Sequence, residues 1–286
     1  MKYYVIIPAH NEEAYLADTL NSILRQTLQP QKVVVVNDNS TDGTEAVIDT
    51  FLTLSPIFEK LNSVSSEVHM PGSKVIEAFR KGLVLLDDDY DFLVKLDADL
   101  ILPDKYFEKI AHIFRGHPNA GIAGGFIYEK NENGQWELHH PMNEDHVRGA
   151  FKAYSKACFK AIGGLRNAMG WDTVDELLAR YHNFGIFTDS NLHVKHLRPT
   201  GNAYDQNAKL LQGKAMFCMR YGISITAIAS LKMAMKQRNL KAFLDNIQGY
   251  LEAHREKAPF LVNEKEGAYI RKLRWDNIRR KLLKER

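Results

Sequence analysis

The sequence predicts an α/β fold, a doubly wound mixed sheet flanked by helices with a helical C-terminal extension, on three observations. Short β-branched runs alternate with stretches of helical spacing through residues 1–103, one run holds four consecutive valines with no polar face, and strand signals end near residue 204.

Residues 3–8 form an apolar run closed by Pro8, and from Leu16 the spacing Leu16, Leu20, Ile23, Leu24 changes to a helical period. The run at 32–36 is too apolar for a strand with one wet face, so it belongs inside a parallel sheet. It stops at Asn37-Asp38-Asn39-Ser40, and Ser40 or Thr41 can cap the helix that starts near Gly43. Residues 57–65 read as a weak third strand and 73–86 as a helix. The strand at 91–96 runs into Asp97-Ala98-Asp99, and Pro103 opens the next helix in its first turn. Residues 121–128 and 147–154 read as strands around an Asn/Gly-rich turn. Gly163-Gly164 marks a break, 172–181 a helix, and 186–197 one or two short strands. The remainder is helical, with a change of character at Pro259.

Composition sets limits. With 286 residues, 45% hydrophobic and 26% charged, the chain suits one large core with appended segments, and neither disorder nor a spanning membrane protein is indicated. Cys158 and Cys218 have no metal-cage or redox spacing and are too few for a disulfide framework, which fits a reducing, cytoplasmic setting. The apolar run at the N-terminus is too short for a signal-peptide core and meets acids by position 12. A net charge of +3 is too small to imply a nucleic-acid partner, but it is unevenly placed: residues 268–286 hold eight Lys or Arg against Asp276 and Glu285.

In doubly wound sheets ligands lie beyond the carboxyl ends of strands, here residues 8–13, 37–42 and 97–99, all polar and acidic. Side chains alternate along a strand, so Asp97 and Asp99 share a face. Two converging carboxylates form a hard oxygen site for Mg²⁺ or Mn²⁺, ions that combine one or two protein carboxylates with substrate phosphates. The pattern alone is weak, since Asp87-Asp88-Asp89 repeats it at a solvated helix end. Position at a strand end gives it weight.

Three segments in order and register, VIIPAHNEEAYLADTLNSILRQ, VVVVNDNSTDGT and KLDADL, resemble glycosyltransferase family 2, the inverting enzymes of the GT-A fold. The resemblance covers roughly residues 1–200. It implies a catalytic domain over 1–204, with a nucleotide-sugar-binding half at 1–103 and an acceptor and catalytic-base half at 104–204, followed by a helical extension over 205–286. Pro8, Ala9, His10 and Glu12 would line the nucleotide pocket and Asp38 would read the base. Asp97 and Ala98 would meet the ribose and diphosphate side, with Asp99 on the metal. A carboxylate at Asp38 can accept from a pyrimidine or guanine ring N–H; the same residue can form a helix-capping Asx turn. His10 is equally readable as a polar loop residue and Pro8 as a strand end.

Inversion needs a base opposite the leaving nucleotide. In the family it lies in a Glu-Asp pair at the start of a helix in the second half, and in GGLRNAMGWDTVDELLARYHNFGI the position falls on Asp172, preceded by Trp171 instead of Glu. Asp175 and Glu176 are rivals, because they return to the same helix face. His196, in HVKHLRPTG, resembles the His that completes the metal or diphosphate site in several GT-A enzymes. His193, His139 and His140 read as packing or surface residues. Lys74, after Met70-Pro71-Gly72, reads equally as a donor-phosphate contact and as a solvated lysine.

The uncharged run at 221–231 is too short to span a bilayer, which takes about 20 apolar residues; it reads as a buried helix or a membrane-surface contact. The basic stretch 268–286 is an imperfect amphipath, since Arg271 and Arg274 intrude among Trp275, Ile278 and Leu282, and reads either as a solvated helix or as an attachment to an anionic leaflet. The expected partners are therefore a UDP-, GDP- or dTDP-sugar donor, a glycan or lipid-linked acceptor, and peripherally an anionic membrane. A nucleotidyltransferase is disfavoured because PAHNEE lacks a Gly-rich loop, and a dehydrogenase because no G-x-G-x-x-G follows the first strand. The remaining alternative is a nucleotide-sugar binder without catalysis.

Overall fold

A computed structural model describes residues 1–64, 73–139, 144–198 and 208–284. The first half is a parallel core: β1 (Tyr3–Ala9), β2 (Lys32–Asp38), β3 (Phe58–Ser63) and β4 (Phe92–Leu96), joined through α1 (Leu16–Leu24), α2 (Thr44–Leu54) and α3 (Ser73–Leu83). The valines of β2 are fully buried because the strand lies between β1 and β3. Each contributes about 1.5–3 kcal/mol by leaving water. β3 is the sheet edge, so its apolar pattern is diluted.

The second half makes the sheet mixed. After β5 (Leu100–Ile101) and α4 (Tyr106–Gly116) come β6 (Ala120–Lys130), β7 (Trp136–Leu138), β8 (Phe151–Ser155), α5 (Lys156–Ala161), α6 (Trp171–Tyr181) and β9 (Gly185–His196). The order is β3-β2-β1-β4-β8-β6-β9-β5, with β7 on β6. β8 runs antiparallel to β4 and carries the chain beside the Asp97 strand end. This is the mixed α/β architecture that the sequence predicts.

Several local expectations are corrected. Neither Ser40 nor Thr41 caps α2: Gly43 holds the cap position, and the Asp42 carboxylate accepts from the Thr44 N–H at 3.0 Å. Pro103 lies before α4 instead of in its first turn, its carbonyl accepting from the Tyr106 N–H. β8 starts only at Phe151, because 147–150 is a loop whose buried Val147 packs over Gly124.

The extension is α7 (Ala208–Cys218), α8 (Ile223–Gln237), α9 (Leu240–Arg255) and α10 (Glu264–Lys284). α7 and α9 touch backbone to backbone: a Cβ at Gly213 would lie 1.9 Å from the Asn246 carbonyl oxygen, and one at Gly249 2.0 Å from that of Leu210. The basic helix α10 is not a free amphipath. Ile270 is buried, Leu273 and Trp275 pack on the core, and Tyr269 meets Tyr181 of α6 edge-on. The run at 221–231 is split by α8, which buries Ile225 and Ser230 and exposes Ile228 and Leu231. Among the described residues no helix is long and apolar enough to cross a membrane.

Candidate active site

The strand-end loops interlock before any ligand arrives. Asn11 and Asn39 adopt left-handed conformations, which asparagine tolerates, and turn the chain sharply after β1 and β2. The Ser40 hydroxyl accepts from the Asn11 N–H at 3.1 Å, and the Asn11 side chain accepts from the Thr41 N–H at 2.8 Å. Thr44 accepts from the Glu12 N–H at 2.7 Å. His10 is exposed, and its Nδ1 lies 2.7 Å from the Asp38 carbonyl oxygen. Asp38 and Ala9 are buried at the ends of their strands, with Pro8 half-buried beside Ala9.

The Asp97-Ala98-Asp99 segment is pinned from three sides. The Thr19 hydroxyl of α1 donates to the Ala98 carbonyl at 2.7 Å and accepts from the Leu100 N–H at 3.0 Å. Asp97 donates its N–H to Ala150, and Asp99 accepts from the Leu197 N–H. Asp97 pairs with Lys95, a lysine buried inside β4. Asp99 Oδ2 lies 3.3 Å from His196 Nε2 and 3.8 Å from Arg198 Nε, while Arg198 holds Glu12 at 2.6 Å. His196 Nδ1 lies 3.0 Å from Glu129 on β6, which also meets His139 at 2.9 Å. His139 thus borders the acidic cluster through Glu129.

These contacts tune one another. Burial disfavours the His196 imidazolium, but the Asp99 carboxylate, Glu129 and Asp97 outweigh it and push its pKa up to about 9. Burial pushes Glu12 up to about 7, against Arg198 and with the help of Asp99 and Asp97. Burial also raises Asp97, against Lys95. The pocket attracts cations, and its own His196 and Arg198 answer that field.

A divalent ion fits this donor set. Asp99 Oδ2 and His196 Nε2 are spaced as neighbouring ligands of one ion at about 2.1 Å would be. Among the described residues no group of three His, Cys, Asp or Glu is placed to hold a metal. A two-ligand site completed by phosphate oxygens and water matches the habit of Mg²⁺ and Mn²⁺.

The start of α6 lies against the 147–150 loop. A Cβ at Gly149 would lie 3.2 Å from the Asp172 Cβ, so Asp172 packs on the same 147–150 loop whose Ala150 carbonyl holds Asp97. Asp172 is half-buried, and among the described residues no hydrogen bond or ion pair engages its carboxylate. Its rivals are occupied. Asp175 takes Lys152 at 2.9 Å and the Tyr154 hydroxyl at 2.5 Å, and burial pushes it up to about 7. Glu176 takes Lys152 at 3.0 Å, His146 at 2.9 Å and the Val147 N–H at 2.9 Å.

The structure therefore gathers Glu12, Asp97, Asp99 and His196 into one corner, with Asp172 one loop away and Asp38 at the neighbouring strand end. His193 packs on Tyr128. His140 and Met70-Pro71-Gly72 lie outside the described residues. Sequence reading missed Lys95, Glu129, Arg148 and Arg198. Arg148, held down by burial, lies in the field of both Glu129 and Asp172.

Residues 4–190 match the model of glycosyl transferase family 2. The chain belongs to that family. Among its relatives are the glycosyltransferase GlyA of Streptococcus pneumoniae, 44% identical over 46% of this chain and 18% of the relative. The poly(ribitol-phosphate) beta-N-acetylglucosaminyltransferase TarS of Staphylococcus aureus is 31% identical over 45% and 24%. The minor teichoic acid biosynthesis protein GgaB of Bacillus subtilis is 22% identical over 72% and 24%. This family 2 chain thus spans about a quarter or less of the length of these three relatives. Among solved structures, the Pyrobaculum calidifontis mannosyltransferase PcManGT with GDP-Man and Mn²⁺ superposes with a TM-score of 0.58 at 16% identity, over 94% of this chain and 78% of the other. TarS residues 1–349 with UDP-GlcNAc give 0.57 at 18%, over 76% and 67%. At such identities the likeness is one of fold, and it agrees with the GT-A architecture.

Proposed function

We propose that this family 2 chain is an inverting, metal-dependent glycosyltransferase that moves a sugar from a nucleoside diphosphate to a hydroxyl of a cell-surface glycan or its lipid-linked precursor. The observation that carries the reading is the placement of Asp172, a carboxylate with no hydrogen bond or ion pair among the described residues, across one loop from the pinned Asp97 and Asp99. Pro8, Ala9, His10, Glu12 and Asp38 would border the nucleoside. Asp97 and Ala98 would lie along the ribose and diphosphate, and Asp99 with His196 would hold Mg²⁺ or Mn²⁺. Such an ion, when bound, stabilises charge on the departing diphosphate. Arg198, already at the same corner, adds a guanidinium suited to phosphate oxygens.

Asp172 accepts the proton of the acceptor hydroxyl as its oxygen bonds to the anomeric carbon and the sugar–phosphate bond breaks on the opposite face. Asp175 is committed to Lys152 and Tyr154, and Glu176 to Lys152, His146 and the Val147 N–H, so both rivals are already engaged by buried partners. The polymers named for TarS and GgaB support a surface-polymer acceptor.

The test is turnover of UDP-, GDP- and dTDP-sugars with Mn²⁺, each with a polyol-phosphate polymer or a lipid-linked saccharide as acceptor. One donor should be consumed with inversion. Asp172→Asn should lower kcat by about 10²–10⁴-fold while donor affinity holds. Full activity in Asp172→Asn, with loss in Asp175→Asn, would move the base. Nucleotide binding without turnover in the wild-type protein would leave a binder.

A further inference from the structure

Behind the proposed base lies a second opening. α6, α10 and the segment before β8 enclose a cavity of about 480 Å³, bordered by Thr173 and Arg180 on α6 and by Arg274, Asn277 and Arg280 on α10. Thr173, Glu176, Leu177 and Arg180 recur at helical spacing, so the cavity wall is the α6 stripe next to Asp172.

Its chemistry is cationic. Arg180 is paired with Asp145 at 3.3 Å, and Glu176 is committed to Lys152 and His146. Arg274 and Arg280 differ: among the described residues neither has a carboxylate within 4.0 Å. Arg274 donates to the Tyr221 hydroxyl at 2.6 Å, and its buried Nε has no hydrogen-bond partner among the described residues. Arg280 donates to Asn277 Oδ1 at 2.5 Å. Both guanidinium groups border the same cavity, and guanidinium forks match the oxygens of a phosphate.

We propose that this cavity binds a phosphate group of the acceptor and so presents the acceptor hydroxyl to Asp172. Assignment to the acceptor rests on the glycosyltransferase reading, whereas phosphate binding does not. The phosphate belongs either to a polyol-phosphate chain or to the diphosphate of a lipid carrier.

Titration calorimetry on the full chain separates these sources. The probes are a glycerol-phosphate trimer, geranyl diphosphate and, as neutral controls, glycerol and geraniol; UDP, GDP and dTDP with Mn²⁺ report the donor site. At least one phosphorylated probe should bind, and Arg274→Gln with Arg280→Gln should weaken it about tenfold or more. Nucleotide affinity should stay within about twofold. Arg280 is exposed, so Arg280→Gln alone decides the matter if the double variant loses its fold. The site is overturned if phosphorylated probes bind no better than neutral ones, or if a folded variant binds them like the wild type. Loss of all nucleotide binding in the wild-type protein would instead strike the glycosyltransferase reading.

Discussion

Two lysines stand opposite each other on adjacent strands, Lys95 on β4 and Lys152 on β8, and they serve different ends. Both are buried almost completely, and both amines lie over the Trp171 ring, at 5.3 and 5.9 Å from its centre. Lys152 is sealed among Asp175, Glu176 and the Asp172 carbonyl, and its partner carboxylates are at most 10% exposed. Lys95 meets Asp97, a carboxylate still 33% exposed. One lysine closes a buried network and the other presents a functional group. What separates them is whether the partner keeps an open side.

The comparison can be broken at its cations. Lys152→Met should have the largest effect, because it leaves Asp175 and Glu176 buried without their shared cation. A loss of about 3–5 kcal/mol in urea unfolding is expected. Lys95→Met should cost about 1 kcal/mol or less, since Asp97 can turn to solvent or to a bound cation. It should instead reduce kcat/KM about tenfold by loosening Asp97. Equal stability losses in the two variants would show that the open side makes no difference.

Much of the fold was legible because it depends on apolar periodicity. The 32–36 run and the Asp97 strand end follow from patterns within a few residues. The site was legible where it follows a strand end and opaque where it depends on partners far apart in sequence. Glu12 and Arg198 are 186 positions apart, and Glu129 and His196 67. Glu12 and His196 are marked by their motifs, but their partners Arg198 and Glu129 each look alone like an ordinary surface charge. Lys95, within the apolar run FLVKL, is the exception, since a lysine in a buried strand calls for a partner. The family motif points to Asp172, but Asp175 and Glu176 return to the same helix face. What distinguishes them in the structure is Lys152 from a different strand, which engages the carboxylates of Asp175 and Glu176.

Trp171 is where the two lysines meet, and it stands at the position where the family places a glutamate. A glutamate there would offer the amines a charge, whereas the indole offers the negative face of its ring and excludes water from both. The ring also fills the space left by Gly149, where an added Cβ would lie 2.9 Å from Trp171 Cζ2. Trp171→Phe keeps a weaker π face and should cost about 1 kcal/mol of stability. A double-mutant cycle with Lys95→Met then isolates the ring's electrostatic share, expected at about 0.5 kcal/mol. Zero coupling would reduce Trp171 to packing where it meets Lys95, leaving that amine to its Asp97 carboxylate.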